Sequence, residues 1–281
     1  MTERPRLPPA RRSLGQNFLV SDRAAAAVAD AVGDVAGRTV LEIGPGRGIL
    51  TAALLRRGAR VLGLELDRRL AEYLRARFAG GGLEVVEGDA LDANLAGLAA
   101  ERGLPLPWLV AGNIPYGITS PLLRKLLAEP GLVEAAVLMV QREVADRLLA
   151  EPGSKVYGAL TVGVRAVADV EAVLTLSPSR FRPPPRVWST VVRIRPRPDA
   201  PGAVERAAVE RVAKALFGGR RKQLRAALRR AELVPDDRLE EAAEVLGVPP
   251  TARPEQVTVE GFVRLAKFLE QATGNPLQFS T

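Results

Sequence analysis

The chain has 281 residues, 47% hydrophobic and 26% charged, which suits one large domain, or a large domain with a small appendage, around a sizeable core. It contains neither Cys nor His, which excludes disulfides, thiol nucleophiles, imidazole acid–base catalysis and zinc sites built on those ligands. Its net charge of +8 is unevenly placed: residues 1–12, 180–198 and 214–230 hold seventeen Arg or Lys against one acid, so the remainder is net acidic. Such clustering is the footprint of a polyanionic partner. A GC-rich coding bias accounts for the excess of Arg over Lys, but not for two long stretches without acids. The first twelve residues lack the apolar run of a secretory signal, and no segment is apolar for long enough to span a bilayer.

In chain order, a helix is predicted over Asp22–Val32 with Ser21 as its cap. From Thr39 onward strand-like and helix-like segments alternate. Thr39–Ile43 is a strand, Ile49–Arg57 a helix, Arg60–Glu65 a strand, and Asp67–Phe78 a helix capped by Asp67. Leu83–Glu87 and Trp108–Gly112 are further strands, followed by a helix over Thr119–Ala128, a strand over Ala135–Val140 and a helix over Gln141–Ala150. This alternation implies right-handed crossovers and a mostly parallel sheet covered on both faces. Tyr157–Ala168 reads as helix. Val170–Leu176 and Val187–Arg195 read as two strands joined by a Pro-rich loop, suited to an antiparallel edge pair. The Pro-rich stretch 195–202 is the predicted linker, placing a first domain at 1–198 and a small all-helical domain at 199–281, with helices over Val204–Leu216, Gln223–Ala231, Leu239–Leu246 and Val259–Gln271.

Three strand ends carry candidate ligand-binding residues. Glu42-Ile-Gly44-Pro-Gly46-Arg-Gly48 opens a helix, where glycines permit close backbone approach and free N–H groups point outward; a plain tight turn would need the same glycines. Glu65 ends the next strand, 21 residues after Gly44, where an acid grips ribose hydroxyls in nucleoside-binding α/β folds. Asp89, followed by Ala90, ends the third and is placed to accept from an adenine amino group. The G-x-G-x-G spacing departs from the G-x-G-x-x-G of dinucleotide folds. With Glu42 in front it resembles the first motif of S-adenosylmethionine-dependent methyltransferases. Asn113-Ile114-Pro115-Tyr116 resembles the motif of amino-methyltransferases that act on nucleobases.

Taken with Leu14-Gly-Gln-Asn-Phe-Leu19, Val140-Gln-Arg-Glu-Val-Ala145, Tyr157-Gly-Ala-Leu160, Phe181-Arg-Pro-Pro-Pro-Arg-Val187 and Phe217-Gly-Gly-Arg-Arg-Lys222, these motifs resemble the small-subunit ribosomal RNA adenine dimethyltransferase family over nearly the whole chain. The resemblance implies a class I methyltransferase fold, a Rossmann-like seven-stranded sheet with a small C-terminal helical domain. It implies S-adenosylmethionine as cofactor, held by Asn17, Leu19, Gly44, Gly46, Glu65, Asp89, Ala90 and Asn113, and no metal. The implied reaction is N6 dimethylation of two adjacent adenosines in the last hairpin of small-subunit rRNA, or of a 30S assembly intermediate, by a cytoplasmic monomer. Ala226 and Ala227 depart from a pattern that often has Asn there, and Ile49 replaces a frequent Ala. Large-subunit adenine methyltransferases share most of the motifs, but the Pro-Pro-Pro run and the 217–222 segment favour the small-subunit group.

The residue types suggest a mechanism without a strong base. The Asn113 side chain and the Ile114 carbonyl accept the N6 hydrogens, while Tyr116 stacks on one face of an extruded base and Phe181 on the other, unless Phe181 is core. Arg180, Arg182, Arg186, Arg220, Arg221 and Lys222 are candidates for rRNA phosphate contacts, each alternatively a solvated surface charge. Three other readings compete: an assembly or transcription factor that has kept the fold without catalysis, a nicotinamide oxidoreductase, and a DNA adenine methyltransferase. The glycine spacing disfavours the oxidoreductase, the intact Asn113–Tyr116 motif the non-catalytic factor, and the family-specific tail the DNA enzyme.

Overall fold

Apolar strands that recur between amphipathic helices bury their faces by stacking into a sheet with helices on both sides. A computed structural model describes residues 7–219 and 222–273 and shows that arrangement. After β1 (Phe18–Leu19) and α1 (Asp22–Val32) come β2 (Thr39–Ile43), α2 (Ile49–Leu55), β3 (Arg60–Glu65), α3 (Arg68–Arg77), β4 (Leu83–Glu87), α4 (Leu95–Glu101), β5 (Trp108–Asn113), α5 (Thr119–Leu126), β6 (Val133–Gln141) and α6 (Arg142–Leu148). They are followed by α7 (Ala159–Arg165), β7 (Ala168–Leu176), β8 (Phe181–Arg182), β9 (Ser189–Pro196), α8 (Ala203–Phe217), α9 (Leu224–Arg230), α10 (Leu239–Leu246) and α11 (Val259–Thr273). The Asp22–Val32 helix and its Ser21 cap fall where the sequence places them, with Ser21 accepting from the Ala24 N–H. Asp67 likewise caps α3 by accepting from the Arg69 N–H. No helix among the described residues is long and apolar enough to cross a membrane.

The seven-stranded sheet has the order β4-β3-β2-β5-β6-β9-β7. Strands β4, β3, β2, β5 and β6 pair in parallel, and β9 runs antiparallel to β6. β9 is therefore interior, and only β7 of the expected edge pair lies at the edge. The connections leave β2 in one direction and reach β5 in the other, so a crevice forms above the carboxyl ends of these neighbours, where α/β sheets bind ligands. One face of the sheet packs on α1 and α2 through a core that includes Val28, Leu54, Leu109, Val137 and Phe181. β1 and β8 form a separate antiparallel ribbon, with Phe18 opposite Arg182 and Leu19 opposite Phe181. The sequence reading did not contain this ribbon, because strands of two residues carry no periodicity.

The chain divides into two compact units: Met1–Ala145 with Val170–Pro196, and Asp146–Asp169 with Arg197–Thr281. The predicted linker falls at the third and last of the crossings between the units, Pro196 to Arg197. The compact units differ from the expected continuous first domain, 1–198, in that residues 146–169 group with the helical unit. The physical reason is packing: α7 lies on α8, and the buried Tyr157 meets Phe217 edge-on at 5.9 Å, with Phe217 stacked on Phe262. Within this unit Arg225 pairs with Glu240 and Arg229 with Asp236, so part of the 214–230 basic run is neutralised by acids from a later segment.

The crevice floor depends on glycine at one position where strands meet. Gly112 of β5 lies opposite Ile43 of β2, and a Cβ there would fall 2.7 Å from the Ile43 carbonyl oxygen and 2.8 Å from the Ile114 side chain. Gly112→Ala should therefore lower stability by about 1–3 kcal/mol, the usual cost of overpacking. A urea-unfolding midpoint equal to that of the wild type would show that the strand has room.

Candidate active site

The turn after β2 places Gly44 and Gly46 at positive φ, +63° and +60°. At Gly46 the space for a Cβ is also limited, since it would meet the Phe18 ring at 3.0 Å. The Gly46 N–H donates to one Glu65 carboxylate oxygen at 2.9 Å, and the Asp67 N–H donates to the other at 3.0 Å. Burial pushes the Glu65 carboxyl up from its ordinary range, and the two N–H groups pull it back by favouring the charged form. Asp67 in turn accepts two bonds from the Nε–Nη2 edge of the Arg69 guanidinium and one from the Gln16 side-chain amide at 3.2 Å. The Arg69 contacts dominate in holding its carboxyl down at about 2.

Gln16 belongs to an N-terminal arm that passes over the crevice. Arg47 donates to the Pro8 carbonyl and stacks its guanidinium on the Phe18 ring at 4.4 Å. The Asn113 amide nitrogen donates to the Asn17 carbonyl at 2.7 Å, joining arm to strand end. The cleft opens to solvent and, with that open space included, spans about 750 Å³. Among its lining residues are Asn17, Gly44, Gly46, Glu65, Asp89, Ala90, Asn113, Ile114 and Tyr116 from the sequence-derived set. Asp89 uses one oxygen to accept from the Leu91 N–H, which leaves the other for a ligand. Ile114 donates its N–H to the Met139 carbonyl. The Tyr116 hydroxyl lies 3.1 Å from Ser189 Oγ, and desolvation raises its pKa, so the ring stays a neutral phenol.

One expected residue lies elsewhere, and a second borders the cleft without lining it. Phe181 is 1% exposed and packs in the sheet core opposite Leu19, so it is not presented to a base. Ribbon pairing with β1 turns its side chain inward despite the prolines that follow. Leu19 is buried too, and lines a smaller adjoining cavity of about 320 Å³ with Glu42, Gly44 and Asn113. Arg180, Arg182, Arg186 and Lys222 are exposed, whereas Arg220 and Arg221 lie outside the described residues. Residues not singled out from the sequence include Gln16, Ser189 and Leu66. Leu66 lines the cleft while 51% exposed, and its signal was an apolar side chain directly after the strand-end acid.

The cleft fits S-adenosylmethionine. Its glycine turn admits a close ligand, and carboxylates at two strand ends face it beside apolar Leu66 and Ile118. Together with the sheet order, these features define a class I S-adenosylmethionine-dependent methyltransferase. The chain belongs to the ribosomal RNA adenine dimethylase family, whose model matches residues 9–271. It is 44% identical over 266 residues to ribosomal RNA small subunit methyltransferase A of Rhodospirillum rubrum, covering 94% of this chain and 89% of that one. The protein of the same name from Thermosynechococcus vestitus is 40% identical, covering 95% and 99% of the two chains. A crystal structure of a dimethyladenosine transferase from Plasmodium falciparum superposes with a TM-score of 0.75 at 26% identity, covering 92% and 98%. The 23S rRNA methyltransferase ErmE gives 0.69 at 32% identity, covering 91% and 100%.

Glu42, the acid before the glycines, is 1% exposed and accepts from Thr51 Oγ1 at 2.6 Å. Burial, opposed by that hydrogen bond and reinforced by the nearby Glu65 charge, pushes its carboxyl up to about 8. The folded chain therefore keeps a proton on Glu42 across a range in which the unfolded chain, titrating near 4.5, has lost it. Between those values the folded state binds more protons, so this residue's contribution to stability falls as pH rises from about 5 to 8 and then levels. Glu42→Gln should flatten that part of the stability–pH curve and leave the variant relatively more stable at pH 8. Urea unfolding of both proteins at several pH values would show it, and parallel curves would mean that Glu42 is ionised throughout.

Proposed function

We propose that this chain transfers methyl groups from S-adenosylmethionine to the N6 amines of two adjacent adenosines in the 3′-terminal hairpin of small-subunit rRNA. The observation that carries this reading is the position of Asn113-Ile114-Pro115-Tyr116 at the floor of the cleft, within the same enclosure as Glu65 and Asp89. When bound, the cofactor supplies an electrophilic methyl on a sulfonium. Glu65 accepts from the ribose hydroxyls, its carboxylate already aligned by two backbone N–H groups. The free oxygen of Asp89 accepts from the adenine amino group of the cofactor, and Ala90 and Leu66 supply apolar contact. Gly44, Gly46, Asn17 and Leu19 border the methionine end.

The Asn113 amide nitrogen is committed to the Asn17 carbonyl, so its oxygen is oriented as an acceptor. That oxygen and the Ile114 carbonyl take the N6 hydrogens of the target adenine and stabilise positive charge as it develops on nitrogen. Tyr116, fixed by Ser189, stacks on the extruded base. The monomethyl product retains one N6 hydrogen and so one of the two accepting contacts, which permits the second transfer. Arg180, Arg182, Arg186 and Lys222 meet rRNA phosphates. The substrate is rRNA within a 30S assembly intermediate, and the enzyme acts as a cytoplasmic monomer.

Incubating unmodified small-subunit particles with labelled S-adenosylmethionine should place label on the two adjacent adenosines alone; label at other bases would refute the assignment. Asn113→Ala should slow single-turnover transfer by about 3 kcal/mol, by analogy with loss of one oxyanion-hole donor, and weaken cofactor binding less. A near wild-type rate in a folded variant would remove Asn113 from the reaction. Glu65→Ala should weaken cofactor binding by roughly 1.5–3 kcal/mol, the range for hydrogen bonds to a charged group. Calorimetry would register it, and unchanged affinity would exclude the ribose contact.

A further inference from the structure

The loop between β8 and β9 contains Pro183, Pro184 and Pro185, and from the sequence its task is to present Phe181. With Phe181 buried, the aromatic that this loop presents is Trp188. Its side chain is 49% exposed and Val187 beside it 41%, whereas Trp108, the other tryptophan, is 1% exposed. A large aromatic left in water forgoes the stabilisation that burial would bring, and with Val187 next to it Trp188 forms a small contiguous apolar patch rather than a single exposed side chain. The Trp188 backbone is held at two points. Its carbonyl accepts from the Arg142 N–H at 2.9 Å, and the next residue, Ser189, is buried with its hydroxyl against Tyr116. With adjacent Cα atoms about 3.8 Å apart, the Trp188 backbone directly adjoins the residue whose hydroxyl meets the tyrosine that lines the cleft.

The surroundings define the occupant. Arg180, Arg182 and Arg186 are exposed, residues 180–198 contain no acid, and none of these three arginines pairs with a carboxylate among the described residues. An apolar peptide would seat Trp188 among other apolar groups. An exposed π surface in a segment whose exposed arginines have no carboxylate partner matches a single-stranded nucleic acid, which offers bases to stack and phosphates to pair. We propose that Trp188 is the stacking platform for an unpaired base flanking the adenosine in the cleft, with Arg182 and Arg186 on the adjoining phosphates. This rests on the function proposed above and narrows its substrate to a loop with at least one further unpaired base beside the target. Pinned backbone on one side and proline-restricted backbone on the other reduce the ordering cost of binding.

The test uses the full chain and an RNA hairpin with two adjacent adenosines in its loop. Because Trp108 is buried, the hairpin should quench the accessible tryptophan emission of the wild type. Trp188→Ala and Trp188→Leu should weaken hairpin binding roughly 5- to 100-fold, while Trp188→Phe retains most of it. Single-turnover transfer at saturating RNA should stay near wild type, and calorimetry should give unchanged S-adenosylmethionine affinity, which also establishes folding. The slope of log affinity against log salt should be unchanged in Trp188→Ala and shallower in Arg186→Ala. Wild-type affinity in Trp188→Ala, equal affinity in the Leu and Phe variants, or a loss seen with whole particles but not with the hairpin would each overturn the proposal, the last pointing to a protein contact. If the Ala and Leu variants do not fold, absence of quenching in the wild type still rejects it. Quenching without methylation of the adenosines would instead refute the proposed reaction and leave the platform standing.

Discussion

The buried carboxylate of Glu65 is the joint on which the site depends. One oxygen takes the Gly46 N–H and the other the Asp67 N–H, so the turn after β2 and the turn after β3 share one anchor. Both bonds are charge-assisted and lie in a region shielded from water, where each is stronger than its surface counterpart. Asp67 extends the joint, since its carboxylate caps α3 and holds Gln16 of the arm. Without the anion two backbone donors would be orphaned, and the glycine turn, having almost no side chains of its own, would lose the contact that orients Gly46. The residue proposed to accept from the ribose is thus also the one that ties the two turns together.

A second joint divides labour within one side chain. Asn113 gives its nitrogen to the arm, which orients its oxygen as an acceptor. The polarity of the amide is set by a backbone carbonyl rather than by rotation in solvent, so under the proposed reaction the acceptor would need no reorganisation. The same bond ties the position of the arm to that of the strand end, and Asn17 and Asn113 line one cleft.

Much of this was legible in the sequence because it depends on local chemistry. Strand-end Glu65, Asp89 and Asn113 announce themselves by residue type and spacing, α1 and α3 by period and caps, and α10 by period alone. What was not legible is non-local. Phe181 reads as an exposed aromatic before prolines, and only its pairing with Leu19, more than 160 residues earlier, turns it into core. Arg225 and Arg229 read as free cations until Glu240 and Asp236 fold back on them. Gln16 reads as one polar residue among several in the arm, because its partner Asp67 is 51 positions away. The helix around Val162 has an ordinary amphipathic pattern, which says that it packs but not on what.

The chain enters each unit twice, and this has a consequence during synthesis. β6, an almost wholly buried strand, is bonded on one side by β5 and on the other by β9, whose residues are made some fifty positions later. Until Pro196 has left the ribosome, β6 is a bare apolar edge of the kind that recruits other strands. Over the same interval α7 waits for α8, which is made later still. At about 5–20 residues per second, the nascent protein spends several seconds with two unfinished surfaces at once. Neither unit can close before the other has been started, so the two ripen together on the ribosome rather than in turn.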